Sequence, residues 1–143
     1  MQTDPEFFID TKYLPPKIPE GVYEGVFVRQ EMAVVFKCPK IFIYFRITEL
    51  GHYHGIELFR AYRVNTKSKP GKSPKMTLKP RSELLRMIQH VSGDKIRRDR
   101  ASLSVLRGKI LRLKVRTVTK DYRQRDLPEF DHYSVIEDIT YID

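Results

Sequence analysis

The chain holds a single cysteine, Cys38, so no internal disulfide can form. A lone cysteine suits a reducing compartment. Its apolar stretches, such as residues 41–45, fall far short of the ~20 residues that a membrane helix needs. The opening residues MQTDPEFFID carry acids where a signal peptide carries positive charge, and they offer no apolar core. The expected address is the cytoplasm of a bacterial cell, with no membrane partner. A Gly-rich phosphate loop is also missing.

Carboxylates are scarce where the positive charge lies. Residues 60–125 contain only Glu83, Asp94, Asp99 and Asp121, too few and too scattered for the Mg²⁺ cluster of a nuclease. Glu137 and Asp138 are adjacent in an expected strand, which directs them to opposite faces. Cys38 has no histidine beside it in the sequence, and a lone buried cysteine is usually inert. His52 and His54 share one side of an extended segment, but exposed histidines beside hairpin glycines are more often incidental than ligands. The expectation is a protein without catalytic residues, metal or cofactor.

What the sequence has in abundance is segregated charge. The 143 residues carry a formal net charge of +9. Residues 1–59 hold 6 Lys/Arg and 8 Asp/Glu, residues 60–125 hold 21 and 4, and residues 126–143 hold none and 6. Lys and Arg are rarely buried, which accounts for their exposure but not for their confinement to the middle of the chain. Like charges packed this densely repel unless a counter-charge is expected. The pattern points to a polyanion, foremost a nucleic acid.

Residues 1–19 read as an extended arm, because Pro5, Pro15, Pro16 and Pro19 cannot continue a helix or a central strand. From Gly21 the pattern becomes extended and β-branched, with Val22, Glu24, Val26 and Val28 alternating with Tyr23, Gly25, Phe27 and Arg29. That strand can reach Phe36, and Gly25 marks a candidate bulge. After a turn at 37–40, residues 41–50 form a second strand. It carries Ile41, Ile43, Phe45 and Ile47 on one face and Phe42, Tyr44, Arg46 and Thr48 on the other. A hairpin connection at 51–55 leads into a third strand at 56–64, where Ile56, Leu58, Tyr62 and Val64 are in phase and Arg60 interrupts them.

A lysine-rich loop follows at 65–80. Ser82 then caps a helix running to Val91, with Leu84, Leu85, Ile88 and Val91 on one side. Gly93 is a candidate stop. Residues 94–108 are irregular, with a short turn at 102–106. Residues 109–120 alternate cleanly, with Arg112, Lys114 and Arg116 on one face. A charged loop at 121–129 precedes the last strand, 133–142, with Tyr133, Val135, Ile139 and Tyr141 expected on one face.

Three strands, a helix and two strands, with the helix between strands three and four, is the layout of a mainly β, five-stranded Greek-key barrel, the OB-fold. From about Glu20 to the end the chain resembles OB-fold single-stranded DNA-binding proteins in layout and charge. The blocks LPPKIPEGVYEGVFVRQE, RTVTKDYRQRDLPE and HYSVIEDI also look like small proteins carried on phages, plasmids and integrated elements. These resemblances imply a non-catalytic binder of single-stranded DNA or RNA, acting as a replication, recombination or transfer accessory beside replication or recombination proteins. An OB-like interaction module or inhibitor acting on such a machine is the alternative. Exposed strand edges would also allow a homodimer.

In an OB-fold, ligand crosses strands two and three between the loops joining strands one to two and four to five. The resemblance therefore implies contacts from Tyr44 and Arg46 in strand two, and from Arg60, Tyr62 and Arg63 in strand three. Lys120, Tyr122, Arg123 and Arg125 would act from the last loop, and Lys67, Lys69, Lys72 and Lys75 from the basic loop. Such sites combine a cationic groove with rings on which bases stack. Aromatic rings in strands are more often packing than platforms, and Phe27 and Phe45 read as core. Arg112, Lys114 and Arg116 recur every two strand steps, ~7 Å, a spacing comparable to that of phosphates along an extended strand. The other reading of that row is a solvated outer face.

Overall fold

The architecture is built around one long strand, β1 (Gly21–Val35), whose β-branched and aromatic residues favour an extended backbone. The computed structural model describes residues 16–35, 37–67, 75–77, 82–92, 103–121 and 123–141, the side chains of 35, 65–67 and 75–77 excepted. The further strands are β2 (Cys38–Ile47), β3 (Glu57–Arg63), β4 (Asn65–Lys67), β5 (Lys75–Thr77), β6 (Leu111–Val118) and β7 (Tyr133–Tyr141). One α-helix, α1 (Glu83–Ser92), lies between β5 and β6. The fold is mainly β.

Five strands form one antiparallel sheet in the order β3-β2-β1-β6-β7. No ladder joins β3 to β7 among the described residues, so the sheet is not closed into a barrel. The basic loop contains the small hairpin β4–β5. The turn after β1 is tighter than residues 37–40 suggest: Lys37 takes the left-handed conformation (φ 62°) and β2 already starts at Cys38.

Side-chain direction alternates along a strand, and two bulges change its phase. In β1 the register runs from Phe27 opposite Phe45 to Arg29 opposite Tyr44, leaving Val28 as the extra residue. Residues 29 and 31 are thereby moved onto the outer face. In β7, Glu137 is the extra residue between Ile136 and Asp138. Ile136 and Ile139 are both buried as a result, and Tyr141 is largely exposed. The strict alternation expected for β7 is corrected accordingly. Glu137 and Asp138 do not part to opposite faces either: both are exposed and line one cavity.

Gly25 is not the bulge. It sits buried between two strands, opposite Ile47 on one side and Leu111 on the other. A Cβ there would stand 2.5 Å from Leu113 Cδ1 and 2.6 Å from the Arg46 carbonyl oxygen. Only hydrogen fits.

The core gathers Ile41, Ile43, Phe45 and Ile47 of β2, Leu58 and Tyr62 of β3, Leu111, Leu113 and Val115 of β6, and Ile136 and Ile139 of β7. Leu84, Met87, Ile88 and Val91 of α1 close it from the β3 and β7 side. Ser82 caps this helix as expected, its Oγ accepting the Leu85 amide at 3.2 Å. Phe27 is half-buried and packs edge-to-face on Phe45. No helix among the described residues is long and apolar enough to cross a membrane.

The end of the N-terminal segment belongs to this core. Ile18 is 3% exposed, and the buried Ser134 hydroxyl accepts its amide at 2.8 Å and donates to its carbonyl at 3.2 Å.

Candidate nucleic-acid interface

The outer face of β1–β2–β3 assembles the expected aromatic cluster and adds residues that the sequence did not single out. Tyr44 is half-buried beside Phe59 (ring centroids 5.9 Å apart), which packs in turn on Phe42 (5.3 Å). The Val28 bulge lays the Arg29 guanidinium over the Tyr44 ring, 3.9 Å from its centroid. Arg29 and Arg46 both bind Glu57, at 2.6 and 3.1 Å, and Arg29 also reaches Glu31 at 3.3 Å. Burial raises the Tyr44 hydroxyl pKa, and the Glu31 carboxylate adds to the rise. Burial also disfavours the charged Glu57 carboxylate, but hydrogen bonds from Arg46 and Arg29 outweigh it and hold its pKa below the ordinary value.

This cluster is therefore satisfied from within: two guanidinium groups face two carboxylates, and one face of the Tyr44 ring already carries a cation. Arg63 lies on the same sheet face, opposite Lys40, with a guanidinium nitrogen 3.8 Å from Cys38 Sγ.

Arg60 and Tyr62 do not join it. By the alternation of β3 they turn inward with Leu58, so the placement of Tyr62 on the binding face is corrected: the residue is only 5% exposed. Arg60 sits over the Tyr62 ring at 4.9 Å and binds Glu83 of α1 at 2.7 Å. Burial pushes the Tyr62 hydroxyl up to about 12, against the opposing pull of Arg60.

The cations of β6 present a different picture. Arg112, Lys114 and Arg116 alternate with buried Leu111, Leu113 and Val115 and are all exposed. Lys114 is tied to Glu137 at 3.3 Å. Arg112 and Arg116 have no ion pair among the described residues, and Arg112 stands opposite Glu24 and Thr140.

Beyond β6 the chain makes a well-built turn. Lys120 and Asp126 pair through a single antiparallel backbone bridge, and the Asp121 carboxylate accepts the amides of Arg123 (2.8 Å) and Arg125 (3.0 Å). An aspartate that ties its own loop in this way fixes the backbone. Lys120, Arg123 and Arg125 are exposed on it. Lys120 and Arg125 have no ion pair among the described residues.

Five of the expected contacts cannot be placed as side chains. Lys69, Lys72 and Tyr122 lie outside the described residues, and Lys67 and Lys75 are given as backbone only, in β4 and β5.

Sequence reasoning missed Phe130, which stands 86% exposed on a short 3₁₀ turn (Glu129–Asp131) next to the basic turn. Its flanking acids Glu129 and Asp131 were the only signal. Compared with known protein families, curated proteins and solved structures, the chain matches none.

Proposed function

We propose that this chain is a non-catalytic binder of single-stranded nucleic acid, DNA in the first instance, serving as an accessory to replication, recombination or DNA transfer. The observation that carries the reading is a set of exposed cations with no ion pair among the described residues, Arg112 and Arg116 on β6 and Lys120 and Arg125 on the turn. Phosphates supply such cations with a partner. The strand order β3-β2-β1-β6-β7 with a helix between β3 and β6 supports an OB-like scaffold. On that scaffold the ligand runs along β6 and the β6–β7 turn, displaced from the Tyr44 cluster that ion pairs already fill.

The test is binding of the full chain to a fluorescent oligothymidine at low salt, followed by anisotropy. Binding is expected, with Arg112→Ala and Arg116→Ala each weakening it more than Tyr44→Ala. No binding at low salt overturns the reading. In that event the protein-interaction module remains, favoured by Phe130 exposed between two acids.

A further inference from the structure

The unpaired edges of β3 and β7 face one another, and α1 closes one end of the gap. A cavity of about 470 Å³ lies in this seam, lined among others by Arg60, Tyr62, Arg86, His90 and Asp138. That volume lies in the range of small-molecule sites. Arg60 is held from two sides, by Glu83 at 2.7 Å and by the Tyr62 ring, with its side chain only 20% exposed. Its Nε is buried, with no hydrogen-bond partner among the described residues.

The charges around the seam say what kind of acceptor fits. Glu83 is occupied by Arg60 and Glu137 by Lys114, which leaves Asp138 as the lining carboxylate with no ion pair among the described residues. Three carboxylates against Arg60 and Arg86 make the seam a poor place for a phosphate. An uncharged group that offers acceptors to the guanidinium groups and donors to Asp138 matches it. Guanine has this pattern: O6 and N7 accept, while N1–H and the N2 amine donate side by side to a carboxylate. Asp138 pairs directly with Lys114 in the β6–β7 ladder, so one residue lining the cavity lies on the strand next to the one that carries the cation row.

We infer that the seam between β3, β7 and α1 receives a guanine base splayed out from a single strand whose phosphates run along β6, Arg60 reading its acceptor edge and Asp138 its donor edge. The inference rests on the nucleic-acid reading above. It also requires an unpaired base, since the donor edge is hidden in a duplex.

The experiment compares three fluorescent 15-mers against the full chain by anisotropy: oligothymidine, the same strand with one central guanine, and the same with one central cytosine. The guanine strand is expected to bind about tenfold tighter than oligothymidine, the discrimination of one good bidentate pair. Asp138→Asn, which keeps an oxygen for the Ile139 amide now bonded to Asp138 at 2.9 Å, should abolish that preference, while the loss of a negative charge opposite Lys114 means that oligothymidine affinity should not fall. Hypoxanthine in place of guanine, lacking the N2 amine, should lose most of the gain. Equal binding of the thymine and guanine strands overturns the inference while leaving the proposed function standing, as does an equal gain from cytosine or a preference that survives in Asp138→Asn. Absence of binding by every strand at low salt overturns both.

Discussion

Replacing Ser134 by alanine removes one oxygen and tests how far the N-terminal segment belongs to the fold. Ser134 is fully buried, and its hydroxyl satisfies both the amide and the carbonyl of Ile18, 116 positions away. In the variant those backbone groups keep their burial and lose their partner. An unsatisfied buried polar group costs ~1–3 kcal/mol. The segment can escape that cost by peeling away, but it then exposes Ile18, worth ~1.5–3 kcal/mol of apolar burial. The cheaper route sets the loss, about 1.5–3 kcal/mol. At about 4 °C per kcal/mol for a chain of this size, Tm should fall by roughly 6–12 °C. Thermal and urea unfolding of the two proteins measure this directly. Hydrogen exchange at the Ile18 amide should accelerate in the variant at temperatures where the rest of the sheet stays protected. A Tm within about 2 °C of the parent, well below the shift expected for a lost buried partner, would refute the role given to Ser134.

Gly25→Ala should cost about 1–3 kcal/mol, because the new methyl meets the Arg46 carbonyl, which is held in the sheet. Gly21→Ala, where the nearest atom is 3.9 Å away, should be near neutral, and equal urea midpoints for the two would contradict the packing argument. Two groups set opposite ends of the pH profile. Tyr62 has its folded pKa raised to about 12 from an ordinary 10, so its contribution is complete below pH 10 and is lost as pH rises toward 12. Glu57 has its folded pKa lowered, so its contribution is present above pH 4.5 and is lost as pH falls below that value. Stability measured across pH should lose part of its alkaline fall in Tyr62→Phe and part of its acid fall in Glu57→Gln, and unchanged curves would contradict both assignments.

The elements were legible where composition and period agreed. Ile41, Ile43, Phe45 and Ile47 face the core as their alternation says, Ser82 caps its helix, and the Arg112–Lys114–Arg116 row is exposed between buried neighbours. The misreadings share one cause, since a bulge leaves no mark in a hydrophobic pattern. The extra residue Val28 carries Arg29 onto Tyr44, and the extra residue Glu137 lets Ile136 and Ile139 share the core. Gly25 drew attention as a bend, when its real constraint is close approach from two neighbouring strands. For the site, sequence located the positive charge but not its internal neutralisation. Arg46 is paired with a glutamate that lies 11 positions on and opposite it in the β2–β3 ladder. Arg60 belongs by its phase to the inner face, where a cation survives only because α1 brings Glu83 to it.

The proposal places phosphates on the cations of β6 and the following turn that have no ion pair among the described residues, and not on the ion-paired Tyr44 cluster. The most direct measurement is the salt dependence of oligothymidine affinity for the parent, for Arg112→Ala/Arg116→Ala, and for Arg46→Ala. Each phosphate contact contributes about −0.7 to the slope of log K against log[salt]. The double variant should flatten the slope by about 1.4, and Arg46→Ala should leave it unchanged. A parent slope retained in the double variant, or a flattening produced by Arg46→Ala alone, would contradict the proposal.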